Sequence, residues 1–470
     1  MGILRPQILT EERVLASFVS PAGARVAAMV GSAQWGPLNE VINITNMSEF
    51  VSTFGDDSSS VTLTLIKGAD NFFRNGGTLK VVRIEDGNAE QASLVLNNGT
   101  TPVLTVKGFY KGHYGNNITV AVSANPVNAG NRNILITDGT SVERYTNAGQ
   151  GFTTNQAIAD EINAVSSLVE VTVSSGQGAT NLVDVTTATQ LSGGLSGEAS
   201  LSNANYTDVL DNQLLMEDYN FLLIPGMTDD AFHSTVVGKL NARADNEKKY
   251  ARYITGIGLN ESITTATSRT AAGRRISVVA PNLKYTNRVT GVVEYLDGSY
   301  LACVYSGMLC RTDIQVSGTH ENLSLEGIRV NASTNQIFYN KAEQEALLEG
   351  RIIPVTKIGN TIQASRGVTR VTNTTEVFFD EVVVDIVDFV KSQVERYLET
   401  TIGKPNTPDR RVIYSSRVDA ILNVAQRQEI IEEFQSTIVT AGASPDILAV
   451  TVGIKPTYNT NFVLFTININ

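Results

Sequence analysis

At 470 residues the chain exceeds one ordinary core and, at roughly 150 residues per domain, divides into several. A net charge of −11, with no cluster of Lys and Arg, opposes direct contact with nucleic acid or an anionic lipid surface. Apolar runs such as Phe221–Ile224 fall far short of the ~20 residues that span a bilayer, and two cysteines, Cys303 and Cys310, are too few for a disulfide framework. The opening Met1–Pro6 lacks the apolar stretch of a signal peptide, which points to folding in a cytoplasm. A content of 42% hydrophobic and 18% charged residues, rich in Gly, Ser, Thr and Asn, suits a mixed α/β chain with many short strands.

Residues 1–25 carry Ile3, Leu4, Ile8 and Leu9 around prolines without a helical stripe, and are expected to be an extended arm. Residues 26–87 begin with the apolar run Val26–Val30. A helix over 61–74 then places Leu65, Ala69, Phe72 and Phe73 on one face, Gly76-Gly77 stops it, and a strand follows over 79–84. Residues 88–205 turn polar and alternating, which predicts an inserted, mainly β domain. Residues 206–375 resume strand, helix and strand: Asn220–Pro225, a helix over 229–250, Arg252–Gly256, a short helix ending near 272 and Arg275–Ala280. This is the mark of an α/β sheet with crossover helices.

Asn340 and Glu343 form a capping pattern, and Gly359-Asn360 marks the turn of a hairpin within 352–369. In residues 376–460 the strongest helix repeats Val383, Val387, Val390, Val394 and Tyr397. In residues 461–470, Val463, Phe465, Ile467 and Ile469 alternate with polar residues as a strand whose uncharged edge some other sheet must take.

Catalytic signatures are missing. Gly238-Lys239-Leu240 lacks the first glycine and the hydroxyl of a phosphate loop, and Gly256-Ile257-Gly258 lacks the third glycine of a dinucleotide fingerprint. His113, His233 and His320 have no metal-site spacing and are expected on the surface or in loops. Cys303 and Cys310, seven apart, stand about 10 Å apart on a helix and farther on a strand, too far to bond to each other. No cofactor, metal or enzymatic activity is expected.

Two segments resemble the contractile tail sheath family of phages and related contractile particles. One is Val26–Ala33 with Gly36-Pro37, Phe54-Gly55, Phe72-Phe73-Arg74-Asn75-Gly76-Gly77 and Val81–Ile84. The other is Ile402-Gly403-Lys404 with Asn406, Arg410, Ser444–Ile447 and Ile454-Lys455-Pro456. Gly112, Gly115 and Asn116-Asn117 are similar to a turn at the entry of the family's inserted domain. The Pro-Gly-Val-Tyr sequence common at sheath N-termini is replaced here by Pro6-Gln7-Ile8-Leu9.

The resemblance implies an α/β and α+β multidomain fold, with an α/β sheath core, an outward-facing β insertion and two extended arms. It further implies hexameric rings stacked around a tail tube in a virion, assembled in the host cytoplasm. The partners are copies of the chain, the tube protein, and baseplate and tail terminator proteins. Arm contacts fall on Ile3, Leu4, Ile8, Leu9, Val463, Phe465, Ile467 and Ile469. Tube contact is placed on the helix-rich stretch 410–434, at Arg411, Arg417, Arg427 and Glu429. A static lattice or baseplate component is the alternative.

Overall fold

The computed structural model describes residues 25–57, 63–179, 181–373, 376–444 and 446–461. The expected arm residues Ile3, Leu4, Ile8, Leu9, Val463, Phe465, Ile467 and Ile469 lie outside them. The chain forms two compact units. One comprises Arg25–Arg311 and Gly318–Phe379, the other Thr312–Ser317 and the residues from Asp380 onward.

The larger unit opens with β1 (Val26–Gly31), β2 (Val41–Ile44), α1 (Met47–Phe54), α2 (Leu65–Phe73) and β3 (Thr78–Arg83). An inserted run follows: β4 (Ser93–Asn98), β5 (Thr101–Gly108), β6 (Thr119–Ala124), β7 (Arg132–Thr137), β8 (Val142–Tyr145), α3 (Asn155–Val165), β9 (Val169–Val173) and β10 (Thr186–Gln190). The chain resumes with α4 (Asn203–Asp211), β11 (Phe221–Leu223), α5 (Asp230–Asn246), β12 (Arg252–Gly256), α6 (Ile263–Thr267), β13 (Ile276–Ala280), β14 (Asn282–Thr286) and β15 (Val293–Leu296). Then come α7 (Gly298–Arg311), β16 (Ile328–Arg329), α8 (Lys341–Glu349), β17 (Ile353–Ile358) and β18 (Thr361–Ala364). The smaller unit holds α9 (Glu381–Glu399), α10 (Pro408–Arg427), β19 (Ile431–Ala441) and β20 (Leu448–Pro456).

Eight strands form one sheet in the order β18-β17-β13-β12-β11-β1-β3-β2. The six from β17 to β3 are parallel, and β18 and β2 are antiparallel edges. Both faces are covered, which is why the central strands are near-continuous apolar runs. Ala27, Met29, Val81 and Phe221 join a core with α2 and α7, while Ala28, Val30, Val82 and Leu222 join one with α4 and α5. The Asn340–Glu343 capping box forms, and the β17–β18 hairpin turns at Gly359-Asn360. α5 ends at Asn246, before the expected 250, and α6 is a single short helix.

The inserted run builds a three-stranded sheet, β4-β5-β9, and a four-stranded one, β10-β6-β7-β8, around a core that includes Ile158 and Ile162 of α3. Trp35, from the loop after β1, belongs to that core, with ring centroids 5.4 Å from Tyr110 and 5.3 Å from Tyr114. Beside it the buried Arg83 donates to the carbonyls of Gly36 (2.8 Å), Lys111 (2.8 Å) and Ser196 (3.3 Å). One guanidinium therefore ties the end of β3 to both the entry and the exit of the insertion. Gly112 is required here, since a Cβ would stand 2.0 Å from the Gln34 carbonyl oxygen at φ +143°.

Candidate assembly surface

The glycine patterns that resembled phosphate-binding loops do other work. Gly238 and Lys239 lie inside α5, where Lys239 Nζ meets Asp211 at 2.5 Å. Gly256 ends β12 against α7, with its missing Cβ 1.9 Å from the Gly298 carbonyl carbon. Among the described residues no group of three or more His, Cys, Asp or Glu is placed to hold a metal ion, and no helix is long and apolar enough to cross a membrane. Cys303 and Cys310 are buried on α7 and are not bridged to each other.

His233 departs from the expected surface or loop position. It is fully buried on α5 because Val236, Val237 and Leu240 turn the same face into the core. His320 is exposed, and the partly buried His113 lies 3.4 Å from Glu198.

The smaller unit presents a different kind of surface. α9 buries Val383, Val390, Val394 and Tyr397 as the spacing predicted, with Val387 partly buried. In the following loop, Asn406 Nδ2 donates to the Ile447 carbonyl at 3.0 Å, while its Oδ1 accepts from Arg411 Nε at 2.8 Å. Thr407 caps α10, Pro408 fits its first turn, and Tyr414, Val418, Ile421, Leu422 and Ala425 form the buried stripe.

β19 and β20 pair antiparallel as a two-stranded sheet. Gly442 N–H bonds the Ile447 carbonyl at 2.8 Å and Thr457 N–H the Ile430 carbonyl at 3.3 Å, which sets the alternation of the ladder between them. On β20, Ala449, Thr451 and Gly453 turn their backbone groups toward β19, and Leu448, Val450, Val452 and Ile454 turn theirs outward. The register of β19 shifts between Gln435 and Ile438, a bulge that leaves Thr437 facing α10. There Thr437 N–H donates to Asp419 Oδ1 at 2.8 Å, and its carbonyl accepts from Ser415 Oγ at 2.6 Å. Gln426 Nε2 donates to the Glu432 carbonyl at 2.9 Å.

The stretch 410–434 is thus not helical throughout: α10 ends at Arg427 and β19 begins at Ile431. Its four singled-out residues do not share one face. At 100° per residue, Arg411 and Arg427 stand about 160° apart around α10, and Glu429 lies beyond the helix at φ 59°. The exposed face instead carries Val412, Ile413, Ser416, Ala420, Asn423 and Arg427. Val412 is 66% and Ile413 55% exposed, an apolar pair that the charge-based sequence reading passed over.

Residues 26–84 match the family model described as "Tail sheath protein Gp18 domain III N-terminal region". The chain resembles the contractile tail sheath proteins. A segment of 98 residues, 21% of this chain, is 35% identical to the tail sheath protein of Vibrio phage KVP40, and that match spans 14% of the relative's length. The fold likeness is far wider. The sheath tail protein of Desulfitobacterium hafniense superposes with a TM-score of 0.68 at 17% identity, over 97% of this chain and 100% of that one. The helical sheath of the anti-feeding prophage in its contracted state gives 0.55 at 12% identity, over 100% of both chains.

The sheath-like residues at the N-terminal end hold the fold together. Gly77 (φ +99°) leaves room for Cys310, whose Cβ would lie 2.7 Å from an added Cβ, and Asn75 exchanges two hydrogen bonds with Ser324. Asn116, of the similar turn at the insertion, bonds both backbone groups of Gly194.

Proposed function

We propose that the chain is a structural subunit of a contractile tail sheath that polymerises as stacked hexameric rings around a tail tube and shortens to drive the tube through a host envelope. The observation that carries this reading is the helix-and-hairpin unit with an open strand edge, on a chain whose fold matches sheath proteins over 97% of its length. Terminal arms, 1–25 and 461–470, add strands to the sheets of other copies. Backbone hydrogen bonds then hold subunits together while the linking segments let them rotate. Head-to-tail contacts of this kind propagate into rings and helices instead of closing as dimers.

Shortening is a switch between two packings of folded subunits, with the extended one trapped during assembly, and it needs no nucleotide. α10 faces the tube protein, with Val412 and Ile413 near the start of its solvent face and Arg427 at its end. The insertion, residues 88–205, faces outward. Baseplate and tail terminator proteins close the two ends of the polymer, which is built in the host cytoplasm and resides in the virion.

Electron microscopy of the purified protein tests the reading. Hollow tubes are expected. Flat lattices would favour a static lattice component, and tubes that shorten only on addition of ATP and magnesium would overturn the nucleotide-free mechanism.

A further inference from the structure

We propose that His113 and Glu198 form a proton-operated latch at the root of the insertion, which holds the entry turn to the exit segment while the imidazole is cationic and slackens when it is neutral. The latch belongs to the joint between the insertion and the eight-stranded sheet, and it stands whether or not the chain builds a sheath.

Most of the joint is made of bonds that an ordinary change of pH does not touch. Where the chain enters and leaves the insertion it pairs with itself. Glu90 and Leu195 exchange backbone bonds of 2.9 and 3.0 Å, Ser93 and Ser192 exchange bonds of 2.8 and 3.1 Å, and the Asp86 N–H reaches the Gly197 carbonyl at 2.8 Å. The turn 112–117 lies across this ladder. Its Gly112 N–H donates to the Glu90 carbonyl (3.0 Å), its His113 N–H to Ser196 Oγ (3.0 Å) and its Tyr114 N–H to the Gln34 carbonyl (3.2 Å), while the Asn116 side chain bonds Gly194. Each of these donors and acceptors is neutral.

Among the ionisable side chains at the joint, imidazole is the type that ordinarily changes charge between pH 5 and 8. His113 Nε2 lies 3.4 Å from Glu198 Oε1, with the two side chains 24% and 12% exposed. At that length a neutral ring makes a poor hydrogen bond, so the contact draws its strength from charge. Partial burial keeps salt and water from screening it fully. The other charged groups at the joint are Glu85, Lys111 and Arg83. Lys111 and Arg83 oppose a charge on the ring, yet each has partners of its own: Lys111 has Glu85 at 3.4 Å, and Arg83 has the carbonyls of Gly36, Lys111 and Ser196. Glu198 is the carboxylate in contact with the imidazole.

A partly exposed ion pair shifts an opening equilibrium by about two- to fivefold. The insertion therefore stays attached at every pH, and what changes is how often its root opens. Tyr110 and Tyr114, on either side of His113 in the chain, both pack on Trp35, so a turn that lifts takes the Trp35 contacts with it.

Hydrogen exchange of the full-length chain at pH 5.5 and pH 8, with each rate divided by that of an unstructured chain at the same pH, reads this opening. From the lower pH to the higher, amides within 110–118 and 192–198 should lose about two- to fivefold in protection, while those of β12 in the sheet keep theirs. His113→Gln should give the pH 8 value at both. His113→Lys, a permanent cation, should give the pH 5.5 value at both, which a purely structural role of the imidazole would not produce. Glu198→Gln should abolish the difference with His113 in place, and it decides where a His113 variant does not fold. His233 takes up its proton only near pH 4 and so is silent in this window. Equal protection of the joint at the two pH values in the unaltered chain, or a difference that survives Glu198→Gln, overturns the latch.

Discussion

The Nδ1 of His233 lies 3.5 Å from Arg269 Nη1, inside a site where the imidazole has no exposure to solvent. Its Nε2 is 3.2 Å from the Met227 carbonyl and 3.3 Å from Thr255 Oγ1, partners that fit a neutral ring protonated on Nε2. Burial is the main force pushing the imidazole down to about 4. Arg269 adds to it, while the Met227 carbonyl, Asp230 and Asp229 oppose it. Arg269 is itself held by Glu261 at 2.5 Å.

The unfolded chain therefore takes up a proton on this residue near pH 6.5 and the folded chain only near 4. Its contribution to stability is full above about 6.5 and declines as the pH falls toward 4, by up to about 1.4 kcal/mol per pH unit and about 3 kcal/mol in all. Urea midpoints at pH 7.5 and 4.5 check this. His233→Gln, which keeps a donor for Met227, should lose clearly less stability between the two pH values than the native chain. Equal losses would refute it.

Arg83 and Trp35 join the insertion to the sheet. Arg83→Met leaves the carbonyls of Gly36, Lys111 and Ser196 buried without their donor, at about 1–3 kcal/mol for each one left unpaired. The bonds run to carbonyls, so high salt should not reproduce the loss in the native chain. Trp35→Ala should cost about 3–5 kcal/mol, and excising residues 93–190 should leave Trp35 exposed and lower the melting temperature of what remains. A chain that melts normally after the excision would show that the insertion contributes nothing to the sheet below it.

Two glycines separate packing from propensity. Gly256→Ala would drive a Cβ into the backbone of Gly298, so the strand or α7 must shift, and soluble protein should fall sharply. Gly238 sits within α5 with nothing within 4 Å of its missing Cβ, and Gly238→Ala should stabilise by about 0.5–1 kcal/mol. Thermal melts of the two variants should move in opposite directions.

The α/β sheet was legible because its strands are apolar on both faces and its crossover helices are striped. Val26–Val30, Phe221–Ile224 and the capping pair Asn340–Glu343 needed no tertiary information. α7 was not legible: 13 of its 14 residues are buried, so it has no polar face to give it a period. His233 looked like a surface residue because nothing local records that Met227, Thr255 and Arg269 converge on it. The start of β19 was hidden within a stretch read as helix-rich, and the bulge puts Ser436 and Thr437 out of alternation. Thr437 is satisfied by side chains 18 and 22 residues earlier, a relation only the folded unit contains. The resemblance to sheath proteins reached the assembly surface through Asn406, yet the bonds that tie the β19 bulge to α10 exist only once the unit is folded.

Asp419 holds the bulge of β19 against α10. Its Oδ1 accepts the Thr437 N–H at 2.8 Å, while Ser415 donates to the carbonyl of the same residue, so the pair closes β19 at its bulge. Asp419→Ala removes the acceptor, and a half-buried amide left without one costs about 1–3 kcal/mol. A melt of the variant should show a loss in that range. The second effect is on pairing. With Thr437 released, β19 gains an outward N–H and becomes a competing template, and an exposed edge pairs with whatever strand reaches it. The variant should therefore form irregular aggregates beside or in place of ordered polymers, seen as polydisperse sedimentation under conditions where the native chain assembles uniformly. Asp419→Asn, which keeps a carbonyl oxygen for the Thr437 amide, should restore most of both properties. If the alanine variant assembles as uniformly as the native chain, α10 does not guard β19.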